Sequence, residues 1–544
     1  MKVAVIGSGV SGLGATWLLN EHSDHEVHLY ECDDRPGGHA NTVRFVPPGK
    51  PEKDGVDVDT GFIVLNPTTY PNFLRFLKLY PRTIKILPTE MTFSITRDGG
   101  AFEWAGKDLF TVFCQGWRRV VDPGMWRMIY DVLRFNACSR EILVYERLKA
   151  GKDMSVGDYL AREGYSEEFT HNYLIPMTAA IWSTPPDKCA LDFPAHTLIQ
   201  FMHNHHLLQV TGKPKWLTLH GGSRTYVRQI HSALPPSQLH LSTPIVSLTT
   251  FTPPPQKKAT RQGKAPSPPP EPKVKIMSAS GVEEIFDHVV LACHSDTALK
   301  ILRAGSQKAG LAASGEQGIT QEEENILSMF SWTQNEAVLH ADVNLMPKSR
   351  PAWSCWNYLT KTSDQVDKKG KRKLNVNEVS LTYGMNDLQH IPESKYGPVL
   401  VTLNPPLDMQ PDPSLTTGRW KYEHPVLDAK AVHAQTQMFK IQNKRSISFA
   451  GAWLRYGFHE DGFSSGIQAA LALSESAASL GNDERIIPPF PIVIAYTDPT
   501  FTYPQLLLYY FFRLFEVTRT RPLVGFMLRP FLVLLGVLTG ANRG

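Results

Sequence analysis

The first 42 residues, MKVAVIGSGVSGLGATWLLNEHSDHEVHLYECDDRPGGHANT (Met1–Thr42), decide the fold. Lys2 to Ile6 is apolar and β-branched, Gly7 to Gly12 is a glycine turn, and Leu13 to Asn20 has helical character, so the chain opens as strand, turn and helix. In Gly7-Ser8-Gly9-Val10-Ser11-Gly12 the first glycine permits a tight turn and the second lets backbone approach a pyrophosphate. The third allows close packing of helix on strand, and the helix start, through Ser8, Val10 and Ser11, stabilises negative charge. A second strand, Glu26 to Tyr30, leads into Glu31, 24 positions after Gly7, where a carboxylate can accept hydrogen bonds from a ribose. Strand, turn, helix, strand and acid together predict an α/β dinucleotide-binding unit.

The whole chain is long enough for two to four structural units. It has 544 residues, 42% hydrophobic and 20% charged, a globular composition that excludes disorder for the bulk. A formal charge of +4 is too small to argue for nucleic acid as a partner. Its location is more informative: residues 501–544 contain five arginines and one acid, which leaves 51 charges of each sign in residues 1–500. Six cysteines lie far apart without C-x-x-C spacing, so reduced thiols and no metal site are expected. With Lys2 to Gly9 already strand and turn, no leader is expected, and the predicted location is intracellular, facing a reducing compartment.

Beyond DVDTGFIVLNPTTYP (Asp57–Pro71) the pattern predicts helical segments rich in Trp, Phe and Leu out to about Leu148, and a further helical block from Ser155 to Leu208. A helix start at Gly221, strands in HLSTPIVSL and HVVLACHS, a strand in SISFAGAW and a small-residue helix from Ser464 follow. Residues 253–272 hold eight prolines and four basic residues, a solvated loop inside a hairpin. This order predicts a cofactor domain built from residues 1–65, 215–298 and 440–485, with a substrate domain from 66–214 and 299–439.

Two further motifs name a cofactor. Glu31 is followed by Cys32-Asp33-Asp34-Arg35-Pro36-Gly37-Gly38-His39-Ala40-Asn41-Thr42, which resembles the E-x(5)-G-G-x-x-x-T extension of the amine oxidase, phytoene desaturase and protoporphyrinogen oxidase superfamily of flavoproteins. ISFAGAWLRYGFHEDGFSSGIQAA (Ile447–Ala470) resembles the C-terminal flavin motif of the same superfamily, with Ala452 and Trp453 where an acid usually follows the strand glycine. DTGFIVLNPTTYPNF, LIPMTAAIWSTPP, LTYGMNDLQHI, YEHPVLD and YGFHEDG, with other segments up to about Leu480, are similar to an uncharacterised NAD/FAD-binding group within it. The resemblance implies a Rossmann-like FAD-binding domain in discontinuous segments, an inserted α+β substrate domain and a C-terminal helical tail. It implies FAD contacts at Gly7, Ser8, Gly9, Val10, Ser11, Gly12, Glu31, Arg35, Gly37, Gly38, His39, Thr42, Val246, Gly451, Asp461, Phe463 and Ser464. No Cys lies between Gly451 and Gly466, so the FAD is expected to be noncovalent.

The implied activity is hydride transfer from substrate to flavin N5, oxidising a C–N or C–C bond of an apolar, lipid-like small molecule. Since that chemistry belongs to the cofactor, the protein must orient substrate, exclude water and stabilise charge. His459, with Phe458 and Glu460, is expected beside the flavin ring, and His459 and Tyr383 are the candidate catalytic side chains. Small-amine oxidation, or a flavin-bound membrane-associated scaffold or assembly protein with little turnover, are the alternatives. In the tail, Leu506 to Phe515 is apolar apart from Arg513, and Pro522 to Leu538 is apolar apart from Arg529. Neither run reaches the roughly 20 residues of a spanning helix. An in-plane or re-entrant amphipathic anchor whose arginines meet lipid phosphates is expected, the other reading being a helical hairpin packed on the body or in a dimer interface.

Overall fold

The computed structural model describes residues 1–145, 154–182, 191, 193–209, 214–254, 271–307, 315–366, 372–479, 486–494 and 498–521. The opening segment forms β1 (Lys2–Ile6), α1 (Val10–Glu21) and β2 (Glu26–Tyr30), with the two strands paired in parallel. Later strands extend the sheet on both sides. Its order is Ile447–Phe449, His288–Leu291, β1, β2, Leu239–His240, and every pairing is parallel.

Strand alternation sends side chains to two separate cores. Val3, Val5, Val27 and Leu29 join a cluster with α1, whereas Ala4, Ile6, Val289 and Leu291 join another on the opposite face. Helix α1 is buried from Val10 to Leu19 because it lies between this sheet and the helix His459–Ser479. Glycines make that crossing possible: a Cβ on Gly466 would collide with the Ser11 carbonyl, and one on Gly462 would stand 2.6 Å from Val10 Cγ1.

The second core also supports a four-stranded antiparallel sheet, ordered Glu283–Phe286, Lys273–Ser278, Ile245–Phe251, Glu316–Gln317. Its Phe251↔Lys273 pairing brackets the proline-rich stretch, of which residues 255–270 lie outside the described residues.

A seven-stranded sheet forms the other half of the molecule, ordered Thr416–Val426, Ser331–His340, Leu400–Leu403, Arg372–Gly384, Trp356–Val366, Phe93–Arg97, Phe102–Ala105. The last two strands correct the expectation of helix throughout residues 71–148. Pro71–Leu79 is helical, but Phe93-Ser94-Ile95-Thr96 alternates with period two and turns at Asp98-Gly99-Gly100, where Gly99 has φ +62°. Phe93 then pairs in parallel with Trp356, joining two distant chain segments in one sheet. Helices Pro123–Cys138, Val156–Glu163 and Ala195–Asn204 cover it around Phe135, Phe169 and Phe201.

The helix Tyr503–Val517 lies on Pro123–Cys138, burying Tyr509 and Phe512 against Ala137 and Cys138. Arg513 is ion-paired with Glu141 and with Glu163 at 2.9 Å, so this arginine is directed into the body and not toward lipid phosphate, as the sequence had suggested. Among the described residues no helix is long and apolar enough to cross a membrane. The five described cysteines carry free thiols.

Candidate functional site

Steric demands explain the spacing of the glycine turn. Gly7 has φ +102°, and a Cβ there would stand 2.9 Å from the Ala292 carbonyl oxygen. A Cβ on Gly12 would collide with the Gly7 carbonyl. Gly9 differs from both: its φ is −61°, an ordinary value, and a Cβ would meet nothing within 4 Å. The open space is therefore over Gly9, at the N-terminus of α1, whose first turn has neither a side-chain cap nor an acidic residue. Such unsatisfied amides favour an anion. Val10 and Ser11 are buried, so what they offer a ligand is backbone.

Glu31 stands at the end of β2 as expected, already engaged by the protein. Its carboxylate accepts from the Ser8 amide at 2.8 Å, the Ser8 hydroxyl, the Asp33 amide at 3.0 Å and the Cys32 thiol at 3.2 Å. It thus fixes the glycine turn; these four donors fill its roughly four acceptor sites, so a ribose hydroxyl would have to replace the weak Cys32 thiol donor. Gly37 and Gly38 have φ of +119° and +56°, and a Cβ on Gly38 would stand 3.2 Å from Gly9 Cα, so the two glycine turns face each other. Arg35 donates to the Gly38 carbonyl at 3.0 Å and holds that turn. Thr42 has a structural duty: its hydroxyl donates to Asp59 at 2.6 Å and accepts from the Arg224 amide at 3.0 Å. Val246 is exposed at a bulge of its strand, just beyond Thr243, whose amide donates to the Glu31 carbonyl.

In the C-terminal motif Gly451 leaves room for Trp453, whose indole occupies the position a Cβ would need. Trp453 is buried and donates to the Cys293 carbonyl at 3.2 Å, which accounts for the apolar residue where an acid was expected. Asp461 is buried, accepts from the Phe458 amide at 3.0 Å and is pushed up to about 6 by burial. The Phe463 side chain points into the core against Phe73 and Phe76, leaving only its backbone to face a ligand. Ser464 is held by Glu460 and Asn72. Glu460 caps the helix Pro71–Leu79 through the amides of Asn72 and Phe73.

His459 stacks on Phe62 with centroids 3.7 Å apart, and its Nε2 lies 3.1 Å from the Tyr226 hydroxyl. It lines a cavity of about 170 Å³ together with His39, Tyr383, Tyr422 and His424, so both candidate catalytic residues face one space. Burial lowers His459 to about 3 and His424 to about 4. His39 is held well below its ordinary value by burial and by neighbouring His424, His294 and His459. The histidine wall is therefore uncharged at neutral pH. Met91, His205, Leu207, Trp216 and Trp356 line both this cavity and a second one of about 310 Å³ bounded by Trp104, Met128 and Tyr173. Among the described residues no Asp, Glu, Lys or Arg lines either cavity.

Sequence reading missed two hubs. Asp59, in the DVDTG segment, is buried and pushed up to about 6 by burial; it accepts from Thr42, from the Ser223 amide and hydroxyl, and from Gln389. Tyr422 bridges Asn41 and Thr60 at 2.9 and 2.6 Å. Acid-rich and aromatic segments carry no spacing signal for such partners, all but Thr42 of which lie more than 150 residues away.

Residues 5–79 match the family of NAD(P)-binding Rossmann-like domains. Among solved structures, cyclohexylamine oxidase from Brevibacterium oxydans IH-35A is 14% identical, covering 88% of this chain and 99% of its own, with a TM-score of 0.53. A fatty acid isomerase from P. acnes that produces CLA is 13% identical over 86% and 97% of the two chains, with a TM-score of 0.52. A putrescine oxidase variant redesigned in its cofactor binding is 12% identical over 87% and 99%, with a TM-score of 0.54. Across most of its length the chain thus shares the fold of these solved structures, opened by a unit that matches the NAD(P)-binding Rossmann-like domain model.

Proposed function

We propose that this protein is an FAD-dependent oxidoreductase that oxidises a C–C or C–N bond of an apolar small molecule. The observation that carries the reading is the cavity of about 170 Å³. His39 of the Gly-Gly segment and Gly457 to His459 of the C-terminal motif both border it, and it continues into a larger apolar space. FAD, when bound, supplies the hydride acceptor.

The residues present fit that group: Gly9 leaves open space at an uncapped helix start, facing a second glycine turn. Gly9 and the following amides would hold the pyrophosphate, Glu31 the ribose, and the start of the helix His459–Ser479 the ribityl side. Toward substrate, His459 is fixed by Phe62 and Tyr226 and stays neutral, so it orients without adding charge. Phe458, stacked on Phe201 at 5.2 Å, and Trp356 narrow the space and exclude water. A cationic amine would need a carboxylate in the wall, and the described lining has none. This favours an apolar substrate over a small amine.

Anaerobic mixing of the flavin-loaded protein with cellular lipid extract and with polar metabolite extract tests the reading. Bleaching of the flavin by the lipid fraction is expected. A flavin that neither fraction reduces would count for a scaffold role, and reduction by the polar fraction alone would remove the apolar substrate.

A lipid surface is the partner we assign to the helix Tyr503–Val517. Its outer stripe, Tyr503, Leu507, Tyr510, Leu514 and Val517, is 87, 73, 58, 59 and 80% exposed. Both charged side chains of this helix, Arg513 and Glu516, are ion-paired on its inner side. A coiled-coil seam would carry flanking charges, which are missing, whereas aromatic and aliphatic residues followed by an apolar, arginine-containing sequence suit a membrane interface. Sedimentation with vesicles containing phosphatidylglycerol, lost in a Leu507→Asp/Leu514→Asp variant of unchanged Tm, is the expected result. A concentration-dependent dimer broken by the same pair would assign the stripe to a second copy.

A further inference from the structure

The larger cavity combines an apolar wall with polar atoms that have no partner. It encloses about 310 Å³ and is lined mainly by Met, Val, Leu and aromatic residues. In that lining the Nε1 of Trp356, the Oδ1 of Asn136 and both ring nitrogens of His206 are buried without a hydrogen-bond partner. Of the Asn136 amide it is the oxygen that is left without a partner. A buried polar atom left unpaired costs free energy. Three such residues in one cavity wall are therefore a pattern that calls for a ligand atom. His206 has a second irregularity: φ is +56°, a left-handed backbone conformation that a non-glycine residue adopts at a cost.

We infer that this chamber binds an apolar molecule carrying one neutral polar group, best satisfied by a hydroxyl. The donor is the Trp356 N–H and the acceptor is Asn136 Oδ1, and a hydroxyl both accepts and donates. A carbonyl would satisfy Trp356 alone. A carboxylate or ammonium would enter a space whose described lining holds no Asp, Glu, Lys or Arg, which desolvation disfavours. The apolar remainder of the ligand packs on Met128, Val132, Leu133 and Tyr173. Trp356 also borders the cavity at His459, so the chamber opens toward the space assigned above to chemistry. The inference deepens the oxidoreductase reading by naming the substrate class.

Equilibrium binding to the full chain, measured by calorimetry with decan-1-ol, 2-decanone, decane, decanoate and decylamine as probes, tests it without requiring turnover. Decan-1-ol should bind tightest, and decane, decanoate and decylamine about tenfold or more weaker. Trp356→Phe should weaken both the alcohol and the ketone about threefold to tenfold, the range expected for one lost hydrogen bond. Asn136→Leu should weaken the alcohol and leave the ketone unchanged. Decane binding as tightly as decan-1-ol, or tightest binding of either charged probe, would overturn the inference, as would an alcohol affinity indifferent to both substitutions. The two readings fail separately: selective alcohol binding without flavin bleaching removes the reaction and keeps the chamber, whereas bleaching without it does the reverse.

Discussion

Glu460 accepts a hydrogen bond from the backbone amide of Phe73 at 2.9 Å, and its other oxygen accepts from Asn72 at 3.0 Å. A carboxylate from the C-terminal motif thereby caps a helix nearly 400 residues earlier in the chain, Pro71–Leu79, which has no side-chain cap of its own. Phe73 packs in turn on Tyr226 and Phe463, so the cap ties the helix start at His459 to the core beneath the glycine turn. Burial pushes Glu460 up to about 7, against the pull of the amide hydrogen bonds. Glu460→Ala should lower stability by about 1–3 kcal/mol, the usual cost of orphaned buried donors, and Glu460→Gln by less. Chemical denaturation of the two variants checks the order.

Gly9→Ala and Gly12→Ala should behave oppositely. A methyl at Gly9 meets no protein atom within 4 Å and needs no change in φ, so the protein without flavin should melt as the parent does. The same methyl fills the space over the helix start, and FAD affinity should fall about tenfold or more, equivalent to at least ~1.4 kcal/mol. At Gly12 the methyl collides with the Gly7 carbonyl, and the folded yield itself should drop. Thermal melts and flavin titration separate the two.

Acidification should unfold the protein through its buried histidines. His459 and His288 are lowered to about 3, and His205, His340 and His424 to about 4, by burial. Between roughly pH 6.5 and 4 the unfolded chain binds protons at these sites that the folded chain refuses, so stability rises with pH there and is lost as pH falls. Asp59 and Asp461, raised to about 6, and Glu460 oppose this, because the folded chain holds their protons longer. With His39 also held well below its ordinary value, the lowered histidines outnumber the three raised carboxyls, which leaves a net loss on acidification. His424→Gln should reduce the slope of stability against pH by about one proton in denaturation series between pH 5 and 6.5.

Arg513→Ala should free the C-terminal helix without unfolding the body. The guanidinium bridges Glu141 and Glu163 at a half-exposed position, so the loss of global stability should be about 1 kcal/mol or less. Local protection depends on it more strongly. Faster tryptic cleavage at Arg519, with an almost unchanged Tm, is the expected outcome.

The nucleotide unit was legible because its demands are local. Gly7, Gly9, Gly12 and Glu31 act within one strand, turn, helix and strand: positive φ at Gly7 and contact with the Gly7 carbonyl at Gly12 require glycine, and Gly9 leaves the space open. The small-residue helix from Ser464 was legible for the same reason. Residues 93–105 misled because their aromatic content reads equally as helix, and pairing of Phe93–Arg97 with the strand at Trp356, more than 250 residues later, makes them strands. Side-chain duties were the least legible. Thr42, Ser464 and Glu460 stand inside recognisable motifs, yet their hydrogen bonds go to Asp59, Asn72 and Phe73.

The sequence by itself therefore determined that the chain opens with a dinucleotide-binding turn, since conformational freedom at a glycine is a property of the residue and its neighbours. The cavity that gives that turn a use was decided by tertiary structure alone. His39, Phe62, Phe201, Trp356, His424 and His459 come from separate segments, and its uncharged walls follow from what packing brings together and what desolvation excludes.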